Sequence, residues 1–116
     1  MHEMSIAESI LEIVKEALKD HSPPPQVQEV RCAVGVLNAV IPESLSFCFE
    51  VIRTSWAPLS SAELTIKMIP LKVFCSDCGI TREQLEPILI CPECSAPAEL
   101  KEGEGIIVES VEVEES

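Results

Sequence analysis

Four cysteines in two C-x2-C pairs constrain this chain more than any other feature. Cys75-Ser76-Asp77-Cys78 and Cys91-Pro92-Glu93-Cys94 are separated by 12 residues. A C-x2-C turn brings two sulfurs to about 3.5–4 Å, the edge of a tetrahedron whose metal–sulfur bonds are near 2.3 Å. Two such turns complete a four-thiolate set and leave no open position for water. Gly79, directly after the first pair, suits a turn that needs positive φ. Disulfides, a redox pair and iron–sulfur ligation are the competing uses of such cysteines. A redox C-x2-C opens a helix in a βαβ unit, whereas turns and prolines surround both pairs here. The spacing therefore predicts structural Zn(II) on Cys75, Cys78, Cys91 and Cys94. The intervening Ile80 to Ile90 is too short for a core of its own. Metal binding would supply its folding free energy, on the order of 10 kcal/mol.

Charge and aromatic content narrow the partners. Twenty acidic side chains against eight basic ones give a formal charge of −12, and aromatics are 3% with no tyrosine. Such a surface repels phosphate backbones and offers no stacking platform, which argues against nucleic acid. The cysteine module itself sets Asp77, Glu83, Glu86 and Glu93 against Arg82 alone. No apolar run approaches the ~20 residues needed to cross a bilayer. Met1-His2-Glu3-Met4 resembles no secretory leader, so the expected compartment is the cytoplasm. No nucleophile–base pair is legible, and a four-cysteine site lacks the open position of catalytic zinc, so the chain is not expected to be an enzyme.

Periodicity places the remaining elements. Ile6, Ile10, Ile13, Val14, Ala17 and Leu18 mark one face of a helix over about Ser5 to Lys19, with Ser5 and Glu8 in capping-box positions. Prolines 23 to 25 exclude its continuation. Alternation predicts a strand over about Val27 to Leu37, in which Gly35 allows a bulge or a close backbone approach. Pro42 and Glu43 open a second helix that buries Leu45, Phe49 and Ile52. Further strands are expected at Glu63 to Ile69 and Ile106 to Val113, the last changing phase near Ser110. The fold class is thus α+β: two helices packed on one face of a three-stranded mixed sheet, with an inserted four-cysteine zinc-ribbon module. The last two strands are expected to pair as an extended hairpin around that insertion. The domain boundaries read as 1–72 with 104–116 for the α/β part and 73–103 for the zinc module.

Cys32, on the inward phase of a strand, and Cys48, on a helix edge, read as small buried hydrophobes. His21 lies in the loop that ends the first helix. His2 stands where an imidazole can chelate together with the terminal amine and deprotonated backbone amides. A planar nitrogen set of that kind favours Ni(II) or Cu(II) over zinc. Position alone favours the plainer reading, a functionless chain end.

The motifs occur together. Met1-His2-Glu3-Met4-Ser5 precedes an aliphatic helix; Val34-Gly35-Val36-Leu37, Ile41-Pro42-Glu43-Ser44-Leu45 and Phe47-Cys48-Phe49-Glu50 follow, then the paired cysteines and Glu109-Ser110-Val111-Glu112-Val113. This combination resembles the HypA/HybF family of nickel metallochaperones for [NiFe]-hydrogenase maturation, over almost the whole chain. The resemblance implies His2 as a nickel ligand, with the Met1 amine and the backbone amides of His2 and Glu3 as companions, and the four paired cysteines as zinc ligands. It implies labile Ni(II) as cargo, a HypB-type GTPase or related ATPase as partner, and the hydrogenase large subunit as recipient. The chain departs from the family pattern at Val36, Asn38 and Ala39, where Gly-Glu-Leu-Ser-Gly is frequent, and at Ser95, where a knuckle glycine is usual. A zinc-ribbon interaction adaptor with no transported metal is the alternative reading.

Overall fold

A computed structural model describes residues 3–114 of the chain. Its elements run α1 (Glu3–Ala17), β1 (Val27–Gly35), α2 (Pro42–Ile52), β2 (Glu63–Ile69), β3 (Leu71–Cys75), β4 (Ile80–Gln84), β5 (Glu99–Glu102) and β6 (Ile106–Val113). The class is α+β, with two helices and two three-stranded sheets ordered β2-β1-β6 and β4-β3-β5. Two units divide the chain. One holds the described residues up to Cys32, Val40–Ile66 and those from Val108 onward; the other holds Ala33–Ala39 and Lys67–Ile107.

In the first unit α1 and α2 pack on each other. Ala7, Ile10, Leu11 and Val14 form the buried stripe of α1, and Leu45 and Phe49 that of α2. The pairs at i, i+3 and i+4 follow from the helical repeat. Pro42 occupies the first turn of α2 beside Glu43, as its fixed φ and the helix dipole favour. The first helix begins earlier than the capping box suggests. Glu3 is already helical, which puts Ser5 inside the helix and not at its cap. Its regular turns end at Ala17, where the Leu18 N–H bonds the Val14 and Lys15 carbonyls.

Hydrogen bonds set the strand directions. Gln26 bonds to Ser61 and Glu29 to Thr65, so β2 advances with β1; Gln26 pairs with Glu114 and Gly35 with Gly105, so β6 runs against it. The sheet is mixed, as expected, but β1 is its centre. The expected hairpin of β2 with β6 is not formed, because β1 lies between them. In β6 the exposed neighbours Glu109 and Ser110 interrupt the alternation at the expected phase change. Arg31 bridges Glu29 at 2.8 Å and Glu112 at 3.5 Å, and the Thr65 hydroxyl donates to Glu29. That hydroxyl, with Arg31 adding, holds the Glu29 carboxyl below its ordinary range.

The second unit contains the sheet that sequence alternation did not show. β3 pairs antiparallel with β4 from Leu71 opposite Gln84 to Cys75 opposite Ile80, and with β5 from Lys72 opposite Glu102 to Phe74 opposite Glu99. Leu71, Val73 and Cys75 share the buried face of β3. Leu71 and Val73 pack with Val36, and Leu37, Met68, Ala98 and Leu100 lean on them. The strand expected to reach Leu37 stops at Gly35, where Val36–Asn38 turn as a 3-10 segment and bury Val36 instead. Gly35 and Gly103 meet backbone to backbone: a Cβ on Gly35 would collide with the Gly103 carbonyl, and one on Gly103 would lie 2.7 Å from the Leu71 Cα. Only glycine permits that approach. Gly35 and Leu37 donate to the Gly105 and Gly103 carbonyls at 2.8 Å each, and the Asn38 side chain accepts from Gly105.

Candidate metal centre

The four paired cysteines converge. All four sulfurs lie within 4.8 Å of one another. Cys75 Sγ is 3.5 Å from Cys94 Sγ, and Cys78 Sγ is 4.0 Å from Cys91 Sγ. A tetrahedron with metal–sulfur bonds near ~2.3 Å has an edge of about 3.8 Å, which these separations bracket. The donor set therefore fits a closed tetrahedral ion such as Zn(II).

Two matching turns build the site. Cys75 is the third core-facing residue of β3, so the strand that packs the small core also sets the first sulfur. The chain reverses over Ser76 to Gly79 and returns as β4; Gly79 N–H donates to the Cys75 carbonyl at 2.7 Å, with Gly79 at φ 70°. At the second pair Ser95 N–H donates to the Cys91 carbonyl at 2.9 Å, with Ser95 at φ 63°. The serine adopts the left-handed geometry that glycine takes in the first turn. That conformation costs a side chain about 1–2 kcal/mol. A small hairpin holds this second turn: Ala98 N–H donates to the Leu89 carbonyl, Ile90 bridges Pro97, and Cys91 N–H donates to the Ala96 carbonyl.

Hydrogen bonds polarise the thiols. Backbone N–H groups of Cys94 and Glu93 point at Cys91 and hold its thiol down to about 6. The Ala96 N–H favours ionised Cys94, yet the neighbouring thiols and burial outweigh it and push that group up to about 12. Cys78 is also raised: its contact with Cys94 lowers it, but Cys75, burial and Cys91 prevail. Sulfurs this close cannot all carry charge unless a cation offsets it.

Arg82 is the residue that sequence reasoning passed over. It stands opposite Val73 in the β3–β4 register. Directly opposed residues of an antiparallel pair share a face, so Arg82 lies on the side of Val73 and Cys75. The residue is half-buried, and its Nε is buried with no hydrogen-bond partner among the described residues. The inward phase of a strand bound to follow Cys78 was the signal that could have found it.

The other candidates separate. Cys32 is buried, as expected of a small apolar residue, whereas Cys48, expected to be buried too, is only half-buried. Burial, with Glu109 adding, pushes the Cys32 thiol up to about 11. His2 lies outside the described residues. Just after it, Glu3 accepts the Ile41 N–H at 3.2 Å, tying the start of α1 to the residue before α2. No helix among the described residues is long and apolar enough to cross a membrane.

A tetrahedral four-thiol centre on this α+β scaffold defines a metal-binding protein. The family model described as "Hydrogenase/urease nickel incorporation, metallochaperone, hypA" matches residues 1–113. The hydrogenase maturation factor HypA of Desulfosudis oleivorans is 38% identical over 116 residues, 99% of this chain and 100% of that protein. The factor of the same name from Desulfatibacillum aliphaticivorans is 37% identical over 114 residues, 97% of this chain and 87% of that protein. The solution structure of the Ni metallochaperone HypA from Helicobacter pylori superposes with a TM-score of 0.67 at 21% identity, covering 97% of both chains. The chain belongs to the HypA family of hydrogenase maturation metallochaperones.

Proposed function

We propose that this protein is a non-enzymatic nickel carrier of the cytoplasm. It holds Ni(II) loosely at its N-terminus and passes it on for insertion into [NiFe]-hydrogenase. The observation that carries this reading is that the family match begins at residue 1, so Met1-His2-Glu3 lies inside it. The His2 imidazole, the Met1 amine and the backbone nitrogens of His2 and Glu3 form the chelate. Two features of α1 support it. The first N–H groups of a helix have no intrahelical partner, so an amide at Glu3 loses its proton without costing a helix bond. The Glu3 carboxylate is engaged by Ile41, which favours the backbone as Glu3's contribution. The positive end of the helix dipole opposes a cation there, and that suits a cargo that has to leave.

The division of labour proposed is nickel binding by 1–72 and 104–116, and zinc binding by 73–103. Zn(II) on Cys75, Cys78, Cys91 and Cys94 is architectural. A HypB-type GTPase or related ATPase docks on the carrier, and the hydrogenase large subunit receives the metal.

His2→Ala tests the reading. Nickel uptake by the untagged variant should fall at least tenfold, one zinc per chain should remain, and cells carrying it should fail to mature hydrogenase. Protons compete for nitrogen donors, and an ordinary imidazole titrates near ~6.5. Uptake should therefore weaken as pH falls through that region. Unchanged nickel uptake by the variant would favour the adaptor reading, in which zinc alone is held.

A further inference from the structure

In the sheet β4-β3-β5, β4 pairs with β3 alone among the described residues, in unbroken register from Ile80 to Gln84. Its outer backbone N–H and C=O groups are unspent, which makes that edge a template for a further strand. The opposite edge is blunter: β5 is Glu99-Leu100-Lys101-Glu102, mostly charged, and its register shifts between Lys72 and Val73. Directly after β4 the chain folds back. The Gln84 side-chain amide donates to the Ile88 carbonyl, and Ile88 N–H donates to the Glu86 carbonyl at 2.9 Å. Beside this turn lies a groove of about 430 Å³, lined by Leu85, Ile88, Ile90 and Pro92 together with Gln84 and Glu86. Leu85 is 73% exposed, Ile88 44% and Ile90 41%, so the apolar lining faces water. With Leu89 they make a cluster of large exposed apolar side chains, not the scattered single ones that any surface carries.

Charge selects the occupant. Glu86 lines the groove, and neither it nor Asp77 nor Glu93 joins any of the ion pairs among the described residues. The chain carries a formal charge of −12, so a second copy would be repelled and would set like carboxylates against each other. A basic partner would be attracted. We propose that the free edge of β4 and the adjoining groove bind an extended segment of another protein, alternately basic and apolar, by strand addition. The segment's backbone pairs with Ile80 to Gln84, an apolar side chain enters between Leu85, Ile88 and Ile90, and flanking Lys or Arg side chains face Glu86 and Glu93. Main-chain bonds supply affinity in such a mode, and the groove selects among alternate side chains. Five paired residues span about 17 Å, the length of an ordinary strand. The inference needs no nickel at the N-terminus.

The probe is a fluorescent peptide, acetyl-Lys-Val-Lys-Leu-Lys-Val-Lys-amide, mixed with the full chain and followed by anisotropy. A counterpart carries Glu for every Lys. Two further peptides are methylated on backbone nitrogen, one at the apolar residues and one at the inner lysines. Successive N–H groups of a strand point to opposite edges, so only one of these sets meets β4. The Lys peptide should bind at least about tenfold tighter than the Glu peptide. One methylated peptide should lose that binding and the other keep it, and amide exchange should slow at Ile80 to Gln84. Leu85→Ser and Ile88→Ser should each weaken binding about tenfold. Phe47→Ser, which removes an exposed apolar side chain of α2, should leave it unchanged. Equal affinity for the Lys and Glu peptides, or for the two methylated ones, would overturn the proposal and leave the carrier reading standing. A wild-type dimer in sedimentation that Leu85→Ser dissociates would give the surface to a second copy and overturn it as well. If Ile88→Ser loses its fold, the more exposed Leu85→Ser decides, and wild-type affinity there counts against the proposal.

Discussion

The two units are stabilised by different means. The first buries large side chains from two helices and a strand, among them Ile10, Val14, Leu45, Phe49 and Val30, all nearly inaccessible. The second has a core of Val36, Leu71 and Val73 with four partly buried neighbours. Its remaining strands, β4 and β5, are half-buried or exposed along their whole length. A unit this small rarely gains more than a few kcal/mol from apolar burial. Four sulfurs within 4.8 Å replace the missing core. On the proposed reading, a metal held there does the work of hydrophobic area where the sequence is too polar and too short to supply it.

Removing the metal should break this equivalence most severely. A chelator should unfold the second unit, a loss on the order of 10 kcal/mol of binding free energy. Hydrogen exchange should then lose protection at Val73, Arg82 and Leu100 while Ile10, Val14 and Phe49 keep theirs. Equal loss in both units would show that the first also depends on metal. The converse change is Phe49→Ala. It should cost about 3–5 kcal/mol, read by denaturant titration of the helical signal, with one zinc per chain retained.

A smaller test separates the two cysteine turns. Gly79→Ala should destabilise the zinc-loaded form by about 1–2 kcal/mol, because the left-handed backbone disfavours a Cβ. Nothing lies within 4 Å of that Cβ, so no clash adds to the backbone cost. Ser95→Gly should act with the opposite sign, gaining about 1 kcal/mol less the greater freedom of glycine in the unfolded chain. Thermal scans of both variants check the signs. The last effect is confined to alkaline pH and belongs to Cys32. Its thiol is raised to about 11 when folded, against an ordinary value of 9.0. The folded state therefore binds more protons between those values. This contribution is fully present below about 9 and is lost as pH rises through about 11. Cys32→Ala should flatten that part of the alkaline stability profile.

The contrast between the units also explains what the sequence disclosed. The helices were legible because long apolar periods write themselves into Ile10, Val14, Leu45 and Phe49. The convergence of the four paired cysteines was legible because coordination geometry demands fixed spacing. The second sheet was not. Ile80-Thr81-Arg82-Glu83-Gln84 and Glu99-Leu100-Lys101-Glu102 carry no clear alternation, and they become strands because β3 and the cysteine turns hold them in register. The start of α1 was misjudged because a capping-box pattern at Ser5 also fits the inside of a helix that begins at Glu3. The order β2-β1-β6 depends on contacts distant in sequence, which local pattern does not encode. Arg82 escaped notice for the same reason: its face follows from pairing with Val73, not from its neighbours in the chain.

The carrier account depends on chain position more than on residue type, and one titration addresses that directly. Ni(II) is added to untagged wild type and to a chain with one glycine placed before Met1, with absorbance followed and zinc counted in each. The extension displaces the terminal amine from the chelate while leaving His2, the fold and all six cysteines unchanged. The account predicts a nickel-dependent absorption band in wild type, its loss in the extended chain, and one zinc per chain in both. Equal nickel uptake by the two proteins would contradict an N-terminal nickel site, whatever the state of the zinc centre.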